Sequence, residues 1–348
     1  MRLNELERNA QATRSLYESF LNRFKETSAQ QGMEESDARV VSQAKIPNNP
    51  SYPNKKISLL LGLALGLFAG AAAAVLAEAL ESGVATSEDV ERLLGVPHLG
   101  AVPLLSSTQD GPATKQSPGD FLVSQPLSAF AESFRSLRTS LLHSKIDAKV
   151  RVIAVTSALP AEGKSTTTFC LGRSMALSGA STVVVDCDLR RRSVNRLLGI
   201  EPTRGLVEVL SGTATLAQTL VRDEASGAYF LPLAKSAFTP KDLFGSQAMD
   251  RLLTELKSHF DVVLLDCAPV LPVAEPRVIA PKADVALFLV QWRKTPRKAV
   301  AAALQMLKSV RADVAGVALT QVNMKAQSKY GYGDAGYYYR SYRKYYAA

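Results

Sequence analysis

Residues 150–168 read VRVIAVTSALPAEGKSTTT: an apolar, β-branched run, a short loop, then Gly163-Lys164-Ser165 opening a helical pattern. A loop of this kind between a strand and a helix aims backbone N–H groups and the positive end of the helix at one point. That point suits a phosphate. Lys164 is then placed to reach the β- and γ-phosphates of a nucleotide, and the Ser165 hydroxyl to meet Mg2+. Ala158, Pro160, Ala161, Glu162, Gly163 and Thr166 are expected to wrap the same ligand. The loop departs from G-x-x-x-x-G-K-[ST] once, where Ala158 stands for the first glycine.

Two further stretches extend the pattern. VVVDCDLRRR (183–192) puts Asp186 and Asp188 at the end of one apolar run, and VVLLDCAP (262–269) puts Asp266 at the end of another. Ligands of open α/β sheets bind beyond the carboxyl ends of the strands. Ser165, Asp186, Asp188 and Asp266 are therefore the expected Mg2+ set, since hard oxygens suit that ion. Apolar runs at 150–155, 182–185, 261–265, 285–290 and 314–319 alternate with helical patterns at 164–177, 247–257 and 297–310. Unbroken apolar strands of this kind need cover on both faces. The fold class is α/β, a P-loop NTPase with a mostly parallel sheet flanked by helices.

Composition limits the remainder. The chain has 348 residues, 47% hydrophobic, with 41 Lys+Arg against 32 Asp+Glu. That hydrophobic share excludes wholesale disorder, and the length allows about two domains. Cys170, Cys187 and Cys267 lie too far apart in sequence for a disulfide framework or a CxxC zinc site. Residues 57–77, ISLLLGLALGLFAGAAAAVLA, carry no charge and match the roughly 20 helical residues that cross a bilayer. Gly62, Gly66 and Gly70 form overlapping GxxxG steps within it. Before it, residues 1–46 read as a polar helical segment with too few core positions to fold alone, and residues 47–56 as an extended proline-rich connector. After it, residues 78–126 read as a juxtamembrane segment and linker, 127–322 as the α/β domain, and 323–348 as a flexible tail. The tail holds eight of the eleven tyrosines: Tyr330, Tyr332, Tyr337, Tyr338, Tyr339, Tyr342, Tyr345 and Tyr346.

Taken together, ALPAEGKST, VVVDCDLR and VVLLDCAP resemble the Walker A, A′ and B motifs of the bacterial tyrosine kinases (BY-kinases). AESFRSLRTSL, with Glu132, Arg135 and Arg138, resembles that family's E-x-x-R-x-x-R motif. Leu159 and Pro160 occupy the place where related partition ATPases carry a second lysine, which also resembles the kinases. The N-terminal segment and the P-x-x-P-x-x-P connector resemble the membrane-proximal end of a Wzz-type chain-length determinant, so the resemblance covers essentially the whole sequence. It implies an ATP- and Mg2+-dependent tyrosine autokinase of exopolysaccharide or capsule export at the bacterial inner membrane, with kinase and tail cytoplasmic. Lys55 and Lys56 before the span argue for the opposite orientation under the positive-inside rule. The ATP supply and the family topology favour residues 1–56 outside. The resemblance also implies that this chain starts near the end of the periplasmic domain, as a fragment or from a late start, with periplasmic function reduced or lost.

Residue by residue, the resemblance assigns Lys164 and the loop to the phosphates, and Asp186 to orienting or deprotonating the acceptor tyrosine. Asp188 assists metal or acceptor, and Asp266 holds Mg2+ through water. Arg190 pairs with phosphate or steadies the carboxylates. Glu132, Arg135 and Arg138 build a ring of copies, and the tail tyrosines accept phosphate in a neighbouring subunit. Implied partners are further copies of the chain, a polysaccharide polymerase and export machinery, and a phosphotyrosine phosphatase. Thr320 stands where the family often has a base-binding Asn, and Glu275 near a common Asp. Arg190, Arg191 and Arg192 adjoin the Asp pair, where phosphate or subunit contact explains them; nucleic acid is not an expected partner. The rival reading is a nucleotide-gated membrane scaffold without kinase activity.

Overall fold

The computed structural model describes residues 2–33, 41–43, 52–80, 83–108, 116–145, 148–235 and 243–330. The chain divides into two compact units, Met1–Ala73 and Ala74–Ala348. The first contains the helix Arg2–Met33, whose Leu3, Leu6, Leu16, Tyr17, Phe20 and Phe24 are exposed. The helix Lys55–Leu80 encloses the uncharged stretch and is long and apolar enough to cross a membrane over Lys55–Ala73.

The second unit is built on an eight-stranded sheet. Its strands are β1 (His98–Pro103), β2 (Val152–Ser157), β3 (Thr182–Asp186), β4 (Val221–Arg222), β5 (Tyr229–Leu231), β6 (Val262–Asp266), β7 (Val285–Gln291) and β8 (Val314–Val322). They lie in the order β1-β8-β7-β2-β6-β3-β5-β4, all parallel except β4 against β5. Every residue of β2, β3 and β6 is buried, so neither face meets water. One face is covered by the helices Gln247–His259 and Arg297–Ser309. The first buries Met249, Leu252, Leu253 and Leu256, and the second Val300, Ala303, Leu304 and Leu307, both at helical spacing. The other face takes Ala129–Leu142 and Lys164–Ala176, with Phe130, Phe134, Leu137, Phe169 and Leu171 inward. Each such side chain contributes about 1.5–3 kcal/mol on burial. Cys170, Cys187 and Cys267 are free and buried.

The stretch 78–126 departs from its reading as a linker. It supplies the helix Ser87–Leu94, the edge strand β1 and the helices Leu105–Thr108 and Pro118–Ser124. β1 pairs with β8 in parallel, and Val84, Val90, Val102, Leu105 and Leu122 enter the core. Two of its prolines mark element boundaries: Pro103 closes β1, and Pro118 opens a helix behind the cap Ser117.

The helix Lys164–Ala176 lies so close to β3 that a Cβ on Gly172 meets Val184 Cγ2 at 2.5 Å. Its far end is clamped by Arg173. The guanidinium pairs with Asp223 through two bonds of 3.0 Å and with Asp120 at 2.9 Å, and lies 4.5 Å from the Phe169 ring centroid.

Candidate active site

The loops after β2, β3 and β6 meet at the carboxyl edge of the sheet. After β2 the chain makes two left-handed turns, at Ala161 (φ 67°) and Gly163 (φ 85°). Ala158 is fully buried and is not among the left-handed residues, so this loop needs no glycine there. No side chain caps the following helix, which leaves its first-turn amides to a ligand. Pro160 and Ala161 are exposed, while Glu162 faces inward. The Glu162 carboxylate accepts from Leu159 N at 2.6 Å and from the Thr295 hydroxyl. Thr320 Oγ1 donates to the Glu162 carbonyl at 2.7 Å, and Gln321 Nε2 to the Ala161 carbonyl at 2.9 Å. The ends of β7 and β8 thereby grip the phosphate loop. That grip continues outward: Trp292 Nε1 donates to the Ala85 carbonyl at 3.0 Å, and Arg293 N to the Val84 carbonyl at 2.8 Å.

Lys164 is 7% exposed, and its Nζ meets Ser157 Oγ at 3.3 Å. Burial lowers its pKa, opposed by the charges of Asp266, Asp188 and Glu162. Asp266 is fully buried. Its Oδ1 lies 3.4 Å from Thr168 Oγ1, and its Oδ2 has no hydrogen-bond partner. Burial raises its pKa to about 7 against the pull of Ser165 and Lys164. An unpartnered buried carboxylate oxygen beside Ser165 and Lys164 is the chemistry a Mg2+ site requires. The residues present fit such an ion, which Ser165 and Asp266 would hold.

Asp186, expected to orient or deprotonate the acceptor, sits at the end of β3. It pairs in register with Asp266 across β3 and β6 and is fully buried. Both its oxygens are occupied: Oδ1 accepts from Asp188 N at 3.1 Å and Oδ2 from Val194 N at 3.3 Å. Burial and then the Asp266 charge push its pKa well up. Its carboxylate folds the turn, and Asp188, not Asp186, lines the cavity over the loop. The three carboxylates form no shared cation cluster among the described residues.

That cavity, of about 390 Å3, is lined by Gly163, Lys164, Ser165, Thr166, Asp188, Arg191, Arg196 and Gln321, among others. An apolar cavity of about 380 Å3 adjoins it, sharing Gly163, Thr166 and Gln321 and walled by Val102, Leu105, Phe130 and Phe134. Thr320 forms part of that wall, with its hydroxyl committed to the loop. Arg190 points away, to Glu275 at 2.7 Å. Glu132 pairs with Arg135, and Arg138 Nη1 donates to the Ser174 carbonyl near the end of the phosphate-loop helix at 2.9 Å. Tyr332, Tyr337, Tyr338, Tyr339, Tyr342, Tyr345 and Tyr346 lie outside the described residues; Tyr330 ends the helix Met324–Tyr330. No motif or spacing pointed to Thr295, Gln321 or Arg196. Their placement depends on turns between distant strands.

Sheet, loop and carboxylates define a nucleotide-binding P-loop domain. A family model described as "G-rich domain on putative tyrosine kinase" matches residues 2–79, and one described as "AAA domain" matches residues 150–316. The succinoglycan biosynthesis transport protein ExoP of Rhizobium meliloti (strain 1021) is 32% identical over 99% of this chain and 47% of its own length. The tyrosine-protein kinase etk of Escherichia coli (strain K12) is 27% identical over 94% of this chain and 47% of its own. Among solved structures, the chimerical protein CapA2B2 matches with a TM-score of 0.61 at 25% identity, over 68% of this chain and 99% of that one. The BceF tyrosine kinase domain matches with a TM-score of 0.60 at 26% identity, over 68% and 98%. The chain belongs to the bacterial tyrosine-kinase family of polysaccharide export. It spans just under half the length of these curated relatives.

Proposed function

We propose that the chain is an ATP-dependent protein-tyrosine autokinase of exopolysaccharide export, acting on its own C-terminal tyrosines from within a homo-oligomeric ring at the inner membrane. The observation that carries this reading is Lys164, which lines the cavity and makes no ion pair among the described residues, together with the fully buried Asp266, whose Oδ2 has no hydrogen-bond partner and whose charge acts on Lys164. Lys164 and the loop amides bind the β- and γ-phosphates, while Ser165 and Asp266 hold Mg2+. The ion supplies neutralisation of phosphate charge. The adjoining apolar cavity suits a purine ring. Asp188, open to the cavity, is the carboxylate placed to orient the acceptor hydroxyl and take its proton. Eight tail tyrosines supply acceptors, and each phosphate adds about −1.5 to −2 charges to a basic segment. That reversal of charge is a means of releasing the tail and loosening the ring, with a phosphatase resetting it. Glu132 and Arg135, half-exposed, are the residues proposed to meet the next copy.

The test uses the full chain in detergent, incubated with Mg2+-ATP beside Lys164→Met. Removing the residues before Phe121 would delete β1 from the sheet. Phosphotyrosine in the tail by mass spectrometry, absent in the variant, is the expected result. ATP binding without phosphotyrosine defeats the kinase reading. It leaves the nucleotide-gated scaffold, which has its own support in the hydrogen bonds linking Val84 and Ala85 through residues 291–295 to Glu162.

A further inference from the structure

Phosphoryl transfer concentrates negative charge on the oxygens of the moving group, and P-loop enzymes commonly answer it with a second cation besides the loop lysine. This loop holds one lysine only, with Leu159 and Pro160 at its early positions. The second cation therefore has to come from elsewhere, and the turn after β3 presents one.

Residues 188–194 are fixed by five hydrogen bonds. Asp186 accepts from the amides of Asp188 and Val194, at 3.1 and 3.3 Å. The Asp188 side chain accepts from Arg190 N at 3.3 Å, and its carbonyl from Arg191 N and Arg192 N at 3.1 and 3.4 Å. Arg192 adopts φ 44°, which bends the chain sharply there. The three consecutive arginines consequently diverge. Arg190 leaves the site for Glu275. Arg191 lines the phosphate cavity, and its guanidinium makes no hydrogen bond or ion pair among the described residues. Arg196 lines the same cavity, one Nη held by Ser193 Oγ at 3.1 Å. Lys164, Arg191 and Arg196 face a single lining carboxylate, Asp188. A cavity with that excess of positive charge, bordered by an exposed planar guanidinium that no protein group engages among the described residues, suits phosphate oxygens, which the guanidinium fork meets two at a time.

We propose that Arg191 is the second cation of the phosphoryl-transfer step, supplied from the same chain and donating to the γ-phosphoryl oxygens as the transition state forms. The proposal rests on the nucleotide chemistry of the preceding subsection and deepens it. In the step, the bond between the γ-phosphorus and the β-bridging oxygen breaks, and ADP leaves with the electron pair. A bond forms from that phosphorus to the acceptor oxygen, whose proton passes to a carboxylate. Arg191 makes and breaks no covalent bond; it carries charge. Arg196 lines the same cavity, and Arg190 has no part.

The experiment measures binding rather than turnover. The full chain in detergent is titrated with N-methylanthraniloyl-ADP and Mg2+, alone and with aluminium fluoride, which mimics the transferred group. The wild-type chain is expected to bind the aluminium fluoride complex at least about 100-fold more tightly than ADP, as transition-state mimics do. Arg191→Ala is expected to keep ADP affinity within about threefold and lose most of that gain, with Arg191→Lys between them. Tens of millimolar guanidinium is expected to restore part of the loss in Arg191→Ala. The emission of Trp292, the chain's one tryptophan, checks that the variant is folded. Arg204→Ala, at an exposed site away from the cavity, is the neutral control.

Full retention of the gain in Arg191→Ala overturns the proposal, as does an equal loss of affinity for both ligands. A wild-type chain that gains no affinity from aluminium fluoride also overturns it. A wild-type chain that shows the gain, loses it in Arg191→Ala, and yet forms no phosphotyrosine upholds Arg191. It refutes only the choice of tyrosine as acceptor.

Discussion

Replacing Asp266 by Asn should make the nucleotide-free protein more stable at neutral pH. The Asp266 carboxyl is raised from 3.8 to about 7, chiefly by burial. A rise of roughly three units corresponds to about 4 kcal/mol at 1.36 kcal/mol per unit, the cost of keeping this group ionised in the fold at pH 7. The folded chain holds the Asp266 proton to higher pH than the unfolded chain does, so this group's contribution falls as pH rises from about 4 toward 7. Asn has the same shape and no charge, and its amide can donate toward Asp186. Part of the gain is returned because Lys164 loses a partner, leaving about 1–3 kcal/mol expected at pH 7.5 and about half of that at pH 5. Trp292 lies in the second unit, so urea unfolding followed by its emission reads that unit alone. Saturating Mg2+-ATP should reverse the ranking, since ligand stabilises only the form that binds it. An Asn variant less stable than wild type at pH 7.5 without ligand would refute the reasoning. Asp266 would then be held by Lys164 rather than strained by burial.

Other variants test the supports of the site. Arg173→Met strips Asp223 of its buried partner and should cost about 3–5 kcal/mol in the same urea assay. Thr295→Val removes the hydroxyl that holds Glu162 and should weaken ATP affinity about tenfold, the equivalent of one lost hydrogen bond, by fluorescent-nucleotide titration. Gly172→Ala drives a methyl into Val184 and should lower stability by about 1–3 kcal/mol, seen as a lower Tm.

The central strands were legible because nothing about them is local compromise. Residues 183–185 and 262–265 are unbroken apolar runs ending in Asp, and a strand covered on both faces has no other way to be written. β1 escaped because its partner in the sheet, β8, lies more than two hundred residues away and its own sequence, HLGAVP, shows no alternation. β4 and β5 have two and three residues, too few for a periodic signal. At the site, residue types pointed to phosphate and metal chemistry but could not assign directions. Whether Arg190 or Arg191 faces the cavity depends on a left-handed residue at 192 and on Glu275, 85 positions away. Asp186 and Asp188 look alike in sequence, yet one carboxylate has both oxygens taken by amides and the other lines the cavity.

The enclosure of Asp186 separates architecture from chemistry within a few residues. One carboxylate is spent as a template, gathering two amides so that the turn takes a single shape whatever side chains it displays. Position 191, whose side chain holds no part of the turn, can then be exchanged without the loop having to be invented again. A scaffold of that sort is open to descent with modification: new acceptors or new anions are reached by changing what hangs from the turn, while the residue that forms it stays out of reach of solvent and substrate alike.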